Sequence, residues 1–383
     1  MIARRYQLRK EAVGVVMSNH PWIFRDQLSS AANVFADGDW LKLVGPSNEI
    51  LGYGIYDATG AIAIRILKRG SDRPDAAWLR GRIAAAVAKR KELVTRTDGI
   101  RLVHGESDGI PAVVADRYGA SIVVTSYAAG ADALARYVAQ ALTGDVAGPA
   151  RHVVLRPARR RHADPPPARV IRGEPGFAAS FGEDGIAYAV DLDHQKTGAY
   201  LDLRGLRRAI ATSPLGGARV LNLFAYTGML SRAAELAGAA EIVSVDQSER
   251  ALGFAQAHHV VDPARHHFIA ADVFAWLPAH TGVYDLVIVD PPAMTSRKVQ
   301  VPSVLAGYTK LYRAAARTVR PGGTLVAACC TSRITRDAFR QCVANALGPA
   351  FQHVHEISPE VDHPVGFPQS DYLKISLWKS APA

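Results

Sequence analysis

The chain has 383 residues, enough for two or three domains, and 49% of them are hydrophobic, enough to fill sizeable cores. No apolar run of about 18 residues occurs, so no membrane span is expected. The basic start MIARRYQLRKEAVG leads into no apolar stretch, so no signal peptide is read. Three cysteines make no disulfide framework and fit a reducing, cytoplasmic setting; 45 Lys and Arg against 35 Asp and Glu give a net charge of +10, which favours an anionic partner, nucleic acid first.

Residues 1–72 read as a small β-barrel with helical inserts. VGVVMSNHPWIFRDQL, DWLKLVGPSN, EILGYGIYD and AIAIRILKR alternate or carry β-branched residues, and DGD, GPSN and ATG punctuate them as turns. Arg4, Arg5, Trp22 and Arg25 stand near its front. Arginines beside an aromatic ring can grip a phosphate backbone and stack a base. Trp22 and Phe24 can equally well plug the small core.

Around SDRPD the composition shifts, and residues 73–178 read as a small α+β domain. DAAWLRGRIAAAVAKRKEL predicts an amphipathic helix with Asp75 as its N-cap. RLVHGESDGIPAVVADRYG and ASIVVTSYA are turn-rich and strand-like, ADALARYVAQAL predicts a second helix, and RHVVLRP a further strand. PARRRHADPPPA is a basic, Pro-rich loop.

From there to the C-terminus, 179–383, short apolar strands alternate with helices. ARVLNLFAY, AEIVSVD, HHFIA, YDLVIVDPP and GTLVAACC predict strands, separated by helices such as TGMLSRAAELAG and GYTKLYRAAARTV. FQHVHEIS and DYLKISLWK form a final strand pair. This pattern predicts a doubly wound α/β sheet, whose ligands sit beyond the carboxyl ends of its strands.

Several chemistry-bearing residues fall at that edge. Phe224 to Gly228 form the first strand-to-helix turn, where Gly228 lets a ligand approach the helix N-terminus. The turn is not a GxGxxG, which argues against a dinucleotide. Asp246 ends the second strand, where an acid can accept from ribose hydroxyls. Asp272 follows the third, placed for an adenine amine. Either can instead cap the helix that follows it. Asp290-Pro291-Pro292 ends the fourth strand in a rigid turn suited to holding a flat base. Cys329 and Cys330 end the fifth. Strand alternation sends them to opposite faces, so one is core and the other can look into the cleft. An exposed thiol there serves as a nucleophile if its pKa is lowered.

With HPWIF, GDWLKLV, LGYGIYD, RLVHGESDGIPAVVADRYG, DLDHQKTGAYLDLR, VLNLFAYTG, VSVDQS, DPP and DHPVGFPQSDYLK in view, the chain resembles the bacterial RlmI (YccW)-type large-subunit rRNA 5-methylcytosine methyltransferases over nearly its whole length. The resemblance implies a PUA-like RNA-binding domain over 1–72, a central α+β domain over 73–178 and a class I, Rossmann-like methyltransferase domain over 179–383. It implies S-adenosylmethionine as cofactor, surrounded by Phe224, Tyr226, Thr227, Gly228, Asp246, Gln247 and Asp272. A segment containing Gln195, Lys196, Thr197 and Arg204 would close over the donor. Asp290, with Pro291 and Pro292, would face the target base, and Asp290 would border the donor as well. Cys330 matches the family's nucleophile, so 5-methylcytosine in 23S rRNA would form through a cysteine–C6 adduct.

The implied partner is 23S rRNA or a large-subunit precursor, with no membrane, and a PUA-type surface can support a homodimer. The chain departs from the family at Ala199-Tyr200, at Leu203 within Asp202-Leu203-Arg204, at Met229, at His258 and at Met294. It has Pro292-Ala293 where many related enzymes carry a second cysteine. Two further readings compete: methylation of another base or atom with Cys330 a bystander, and a ribosome assembly factor that binds RNA without catalysis.

Overall fold

The computed structural model describes residues 3–159, 166–174, 178–192, 198–294 and 300–383. It divides into two compact units, Met1–Val190 with Val361–Phe367, and Asp191–Glu360 with Pro368–Ala383. No helix among the described residues is long and apolar enough to cross a membrane.

The first unit opens with β1 (Arg4–Gln7), α1 (Lys10–Met17), β2 (Trp22–Phe24), β3 (Trp40–Val44), β4 (Ile50–Tyr56) and β5 (Ile62–Arg69). The strands form one sheet in the order β1-β3-β4-β5-β2. α1 departs from the sequence reading, since its valines were expected to extend a strand. Ala12 and Val16, four apart, bury one face of this helix against Tyr6, Leu8 and Ile23. Tertiary burial there outweighs a β-propensity worth under about 1 kcal/mol per residue.

Next come α2 (Ala76–Ala88), β6 (Gly99–His104), β7 (Val113–Tyr118), β8 (Ser121–Ser126), α3 (Asp132–Ala141), β9 (His152–Arg156) and β10 (Arg169–Arg172). Asp75 caps α2, accepting from Trp78 N at 2.7 Å. The five strands make a second sheet, β10-β9-β8-β7-β6. Its core also takes in Ile55 and Leu67 of the first sheet, so the two sheets share a buried cluster with Leu79, Ile83 and Leu134.

Buried ion pairs tie this unit together. Arg90 holds Asp108 bidentately at 2.6 and 3.0 Å. Asp362, on the strap Val361–Phe367, accepts from Arg101 N at 3.0 Å. A hairpin of β11 (Ala179–Glu183) and β12 (Ile186–Val190) completes the unit, with Phe181 lying so close over Gly99 that a Cβ there would overlap its ring.

The second unit contains α4 (Arg204–Ala211), β13 (Arg219–Leu223), α5 (Met229–Leu236), β14 (Glu241–Asp246), α6 (Glu249–His258), β15 (His266–Ala270), α7 (Val273–Trp276), β16 (Tyr284–Val289), α8 (Val301–Ala316), β17 (Val319–Cys329), α9 (Arg336–Leu347), β18 (Phe351–Ile357) and β19 (Lys374–Ser380). Its seven strands run β15-β14-β13-β16-β17-β19-β18. The first five are parallel, and β19 is antiparallel to both neighbours. This is the doubly wound sheet with the terminal strand pair that the alternating pattern predicts.

Successive residues face opposite layers. Val220, Ile242, Leu286 and Ile288 pack with Leu206 and Leu230 on one side. Leu221, Val243, Val287 and Val289 pack with Tyr308, Leu311 and Phe339 on the other. A slip of one residue would exchange both sets, so burial on both faces fixes the register. With it is fixed which side chain at each strand end reaches the carboxyl edge.

Candidate active site

A cavity of about 460 Å³ opens at that edge of the second unit. Phe224, Tyr226, Thr227, Asp246, Gln247 and Asp272 line one part of it, and Asp290, Pro291, Pro292 and Cys330 another. These are the residues singled out from five separate strand ends, and the parallel sheet brings them together.

The turn after β13 is backbone-strained. Phe224 and Tyr226 both lie in the left-handed region, at φ 61° and 48°. Such conformations cost of order 1–3 kcal/mol each and persist where the surroundings hold them. Asp246 supplies that hold at Tyr226, for its Oδ2 accepts from Tyr226 N and its Oδ1 from Ser248 N, both at 2.9 Å. Each oxygen keeps lone pairs for hydroxyls of a ligand.

His259, buried at the end of α6, bonds the Thr227 carbonyl through Nδ1. Gly228 caps α5 at φ 73°, and a Cβ there would come within 2.8 Å of Ala255 Cβ. It therefore lets the turn approach α6. Beneath, Asn222, Ser231 and Ser244 form a buried hydrogen-bonded chain joining β13, α5 and β14.

Asp246 and Asp272 answer the choice the sequence left open in different ways. Ser248, not Asp246, caps α6, which frees Asp246 for the turn and the cavity. Asp272 does cap α7, accepting from Phe274 N at 2.8 Å, and it lines the cavity as well. Phe224 and Phe274 meet edge to face at 5.5 Å. Two aromatic rings beside an exposed carboxylate suit a purine with an amino group. The donor set therefore fits a nucleoside with free ribose hydroxyls.

At the other end, Cys329 is wholly buried in the core and Cys330 lies on the cavity wall. The Cys330 Sγ lies 3.6 Å from the Pro291 carbonyl oxygen. The condition set on a nucleophilic thiol is not met in the free protein. The thiol pKa is not lowered: burial, then the charges of Asp290, Cys329 and Asp202, push it up to about 12. Arg333, three positions after the thiol, is exposed and does not line the cavity. The nearby cation is Lys374, whose buried Nζ donates to the Thr331 and Tyr372 carbonyls at 2.9 Å each. Burial lowers the Lys374 pKa. Asp290 is raised to about 7 by burial and by Asp202.

Other expected site residues fall elsewhere. Gln195, Lys196 and Thr197 lie outside the described residues. Arg204 is buried, 3.5 Å from Glu360, and is absent from the cavity wall. Arg207 lines the wall instead, donating to the Tyr200 carbonyl at 2.7 Å.

Arg4, Arg5, Trp22 and Arg25 belong to the first unit and are engaged within it. Arg4 pairs with Asp39 and lies over Phe35. Arg5 donates to Asn48 Oδ1, Trp22 Nε1 to Glu106 Oε1, and Arg25 to Gly60 O, Asp57 O and Tyr56 Oη. The Trp22 ring packs against Phe367, 4.9 Å between centroids.

Tyr200, Asp202, Arg207, Tyr372 and Leu373 line the cavity without having been singled out as site residues. The signal was present in GAYLDLR and DYLK, which carry tyrosines and a carboxylate outside any strand–helix turn.

Two family models match the chain. Residues 101–375 match the S-adenosylmethionine-dependent methyltransferases and residues 7–69 a PUA-like domain. The chain is 32% identical to a ribosomal RNA large subunit methyltransferase of Deinococcus radiodurans, over 97% of this chain and 96% of that one. It is 31% identical to ribosomal RNA large subunit methyltransferase I of Shewanella amazonensis, over 93% and 94%. Among solved structures, it superposes with TM-score 0.83 at 22% identity on a protein from Streptococcus mutans described as a SAM-dependent methyltransferase, covering 98% of this chain and all of that one.

Proposed function

The chain belongs to the S-adenosylmethionine-dependent methyltransferases, and on that footing we propose that it forms 5-methylcytosine in 23S ribosomal RNA through a covalent Cys330–C6 adduct. The observation that carries the reading is the thiol of Cys330 on the same cavity wall as Asp290, Pro291 and Pro292, with Cys329 turned into the core. The names of the Deinococcus and Shewanella relatives support large-subunit ribosomal RNA as substrate. The PUA-like residues 1–72 and the central residues 73–178 hold the RNA, and residues 179–383 carry the chemistry.

When bound against Phe224, Tyr226, Thr227, Asp246, Gln247 and Asp272, S-adenosylmethionine supplies an electrophilic methyl group. Asp246 would accept from the ribose hydroxyls, and Phe224 and Phe274 would cover the purine. The target cytosine has to leave its stack to reach the cavity, and Pro291 and Pro292 present a rigid edge for its ring. C5 of cytosine is a weak carbon nucleophile. Addition of Cys330 Sγ at C6 makes C5 enamine-like, and loss of the C5 proton with departure of the sulfur restores the ring.

The raised thiol pKa favours one competing reading, in which the Asp290-Pro291-Pro292 turn directs a base nitrogen and Cys330 is a bystander. RNA carrying 5-fluorocytosine at the target separates the two, because fluorine at C5 blocks elimination. Wild type and Cys329→Ser should give an adduct that survives denaturation, and Cys330→Ser should not. A Cys330→Ser enzyme that still methylates RNA would overturn the adduct reading. Mass-spectrometric mapping of ribosomal RNA from a deletion strain identifies the nucleotide.

A further inference from the structure

A cysteine adduct at C6 leaves one proton, on C5, in need of an acceptor. Pro292 and Ala293, which follow Pro291 after Asp290, carry no group that can move a proton. The cavity, however, holds two carboxylates on the thiol side. Asp202 lies just ahead of α4 and lines the same wall as Asp290 and Cys330.

Its orientation is fixed. The Tyr372 hydroxyl donates to Asp202 Oδ2 at 2.7 Å. The Lys374 ammonium binds the carbonyls of both Tyr372 and Thr331, the residue after the thiol. Cys330 Sγ in turn lies against the carbonyl of Pro291, the residue after Asp290. Asp202, Cys330 and Asp290 are thus held by one chain of contacts running from α4 through β19 and β17 to the end of β16.

We propose that Asp290 is the base that removes the C5 proton, and that Asp202, held by Tyr372, is the positioning residue that tunes it. This rests on the 5-methylcytosine reading above. In the addition step the Sγ–C6 bond forms, the C5=C6 electrons shift into the ring, and the thiol proton passes to N3. After methyl transfer, the Asp290 carboxylate takes the proton from C5. The C5–H electron pair becomes the C5=C6 double bond, the C6–Sγ bond breaks with its pair on sulfur, and the sulfur recovers the N3 proton. Asp290 then loses its proton to water, so one proton is released per methyl group transferred.

The surroundings suit Asp290 to this task. Besides Asp202, the groups that sense its charge are the Tyr200 and Tyr312 phenols and the Cys330 thiol. The Arg207 guanidinium is on the wall, the Lys374 ammonium lies behind it, and Asp246 and Asp272 occupy the cofactor end. Burial and Asp202 together bring Asp290 to about 7. A group near neutrality both accepts a proton and returns it to solvent, which an ordinary carboxylate does poorly.

The test uses full-length protein and RNA tritiated at cytosine C5. Wild type should release one tritium per methyl group incorporated. Asp290→Asn should incorporate methyl but release tritium at least about 100-fold more slowly, and an adduct to unfluorinated RNA should survive denaturation. Asp202→Asn keeps an acceptor for Tyr372. It should move the acid limb of tritium release below the wild-type limb near pH 7, because a negative neighbour has been removed. Asp202→Glu should restore the limb.

A purely structural Asp202 would lower the rate equally at every pH. Tritium release at the wild-type rate from Asp290→Asn would refute the base. An unmoved limb in Asp202→Asn would refute the tuning, whether or not Asp290→Asn folds. If wild type forms no adduct even with 5-fluorocytosine RNA, the 5-methylcytosine reading fails first and takes the base with it.

Discussion

Asp246 should carry much of the cofactor's affinity, and its removal is measurable without RNA. In the free protein its two oxygens accept from Tyr226 N and Ser248 N at 2.9 Å. Hydrogen bonds to a charged group contribute about 1.5–3 kcal/mol each, so two ribose contacts amount to roughly 3–6 kcal/mol before water replaces the missing side chain. Asp246→Ala also releases the Tyr226 amide, whose residue sits at φ 48°, and lets the turn relax from the shape that meets the ligand. A net loss of about 3 kcal/mol is expected, which raises the Kd roughly 100-fold. Asp246→Asn keeps one acceptor and should lose less, although its amide must face one of the two N–H groups. Titration calorimetry with S-adenosylmethionine reads the Kd, and thermal unfolding of the free variants checks that the sheet is intact. A Kd within about threefold of wild type in a folded Asp246→Ala protein would refute the assignment of this carboxylate to the ribose.

The thiol should be slow to alkylate. With Cys330 at about 12, iodoacetamide labelling followed by peptide mass mapping should be negligible at pH 8 and climb only in strong alkali, and Asp290→Asn should bring the onset to lower pH because a negative neighbour is gone. Labelling of wild type at the rate of a free thiol at pH 8 would contradict the burial argument. Arg9 and Lys10 are exposed on the first unit, and reversing both charges should weaken RNA binding and reduce the slope of log K against log salt by about 2. An unchanged slope would make them a solvated face. Arg90→Met should destabilise the first unit by about 3–5 kcal/mol in urea unfolding, because Asp108, fully buried and bound bidentately, loses its main partner. A loss under 1 kcal/mol would mean that Lys89, 3.5 Å away, compensates.

The second unit was legible because its strands are buried on both faces and its turns are short. Each strand end then falls at the same edge, and Asp246, Asp272, Asp290 and Cys330 can be placed there by counting. Local patterning misled at α1, where three valines promise a strand and the burial of Ala12 and Val16 makes a helix. The basic front shows a second limit of local patterning. Arg4, Arg25 and Trp22 look like an RNA grip in sequence, yet each spends its polar atoms on neighbours such as Asp39, Asp57 and Glu106, which lie 35, 32 and 84 positions away along the chain. The pairing of Asp202 with Tyr372 was illegible for the same reason: it spans 170 positions, and neither residue stands in a recognisable turn. Sequence periodicity reports which face a residue occupies, and it carries no information about a partner that distant.

The two ends of the cavity are prepared by opposite means. At the cofactor end, backbone strain at Tyr226 is held by Asp246 before any ligand arrives, so binding there needs little rearrangement. At the thiol end the reactive form is suppressed. A shift from 9.0 to about 12 corresponds to roughly 4 kcal/mol against the thiolate. A thiol kept protonated in this way gains nucleophilicity only when a bound ring supplies a site for its proton, and cytosine N3 is such a site. If Cys330 adds to cytosine as proposed, its reactivity is tied to occupancy by the right base: uracil, already protonated at N3, offers no acceptor there. In the proposed mechanism Asp290, which together with burial holds the thiol back, is also the group that takes the C5 proton once the adduct exists, and Asp202 tunes it. Under that proposal one electrostatic arrangement serves both restraint before substrate binding and release after methyl transfer.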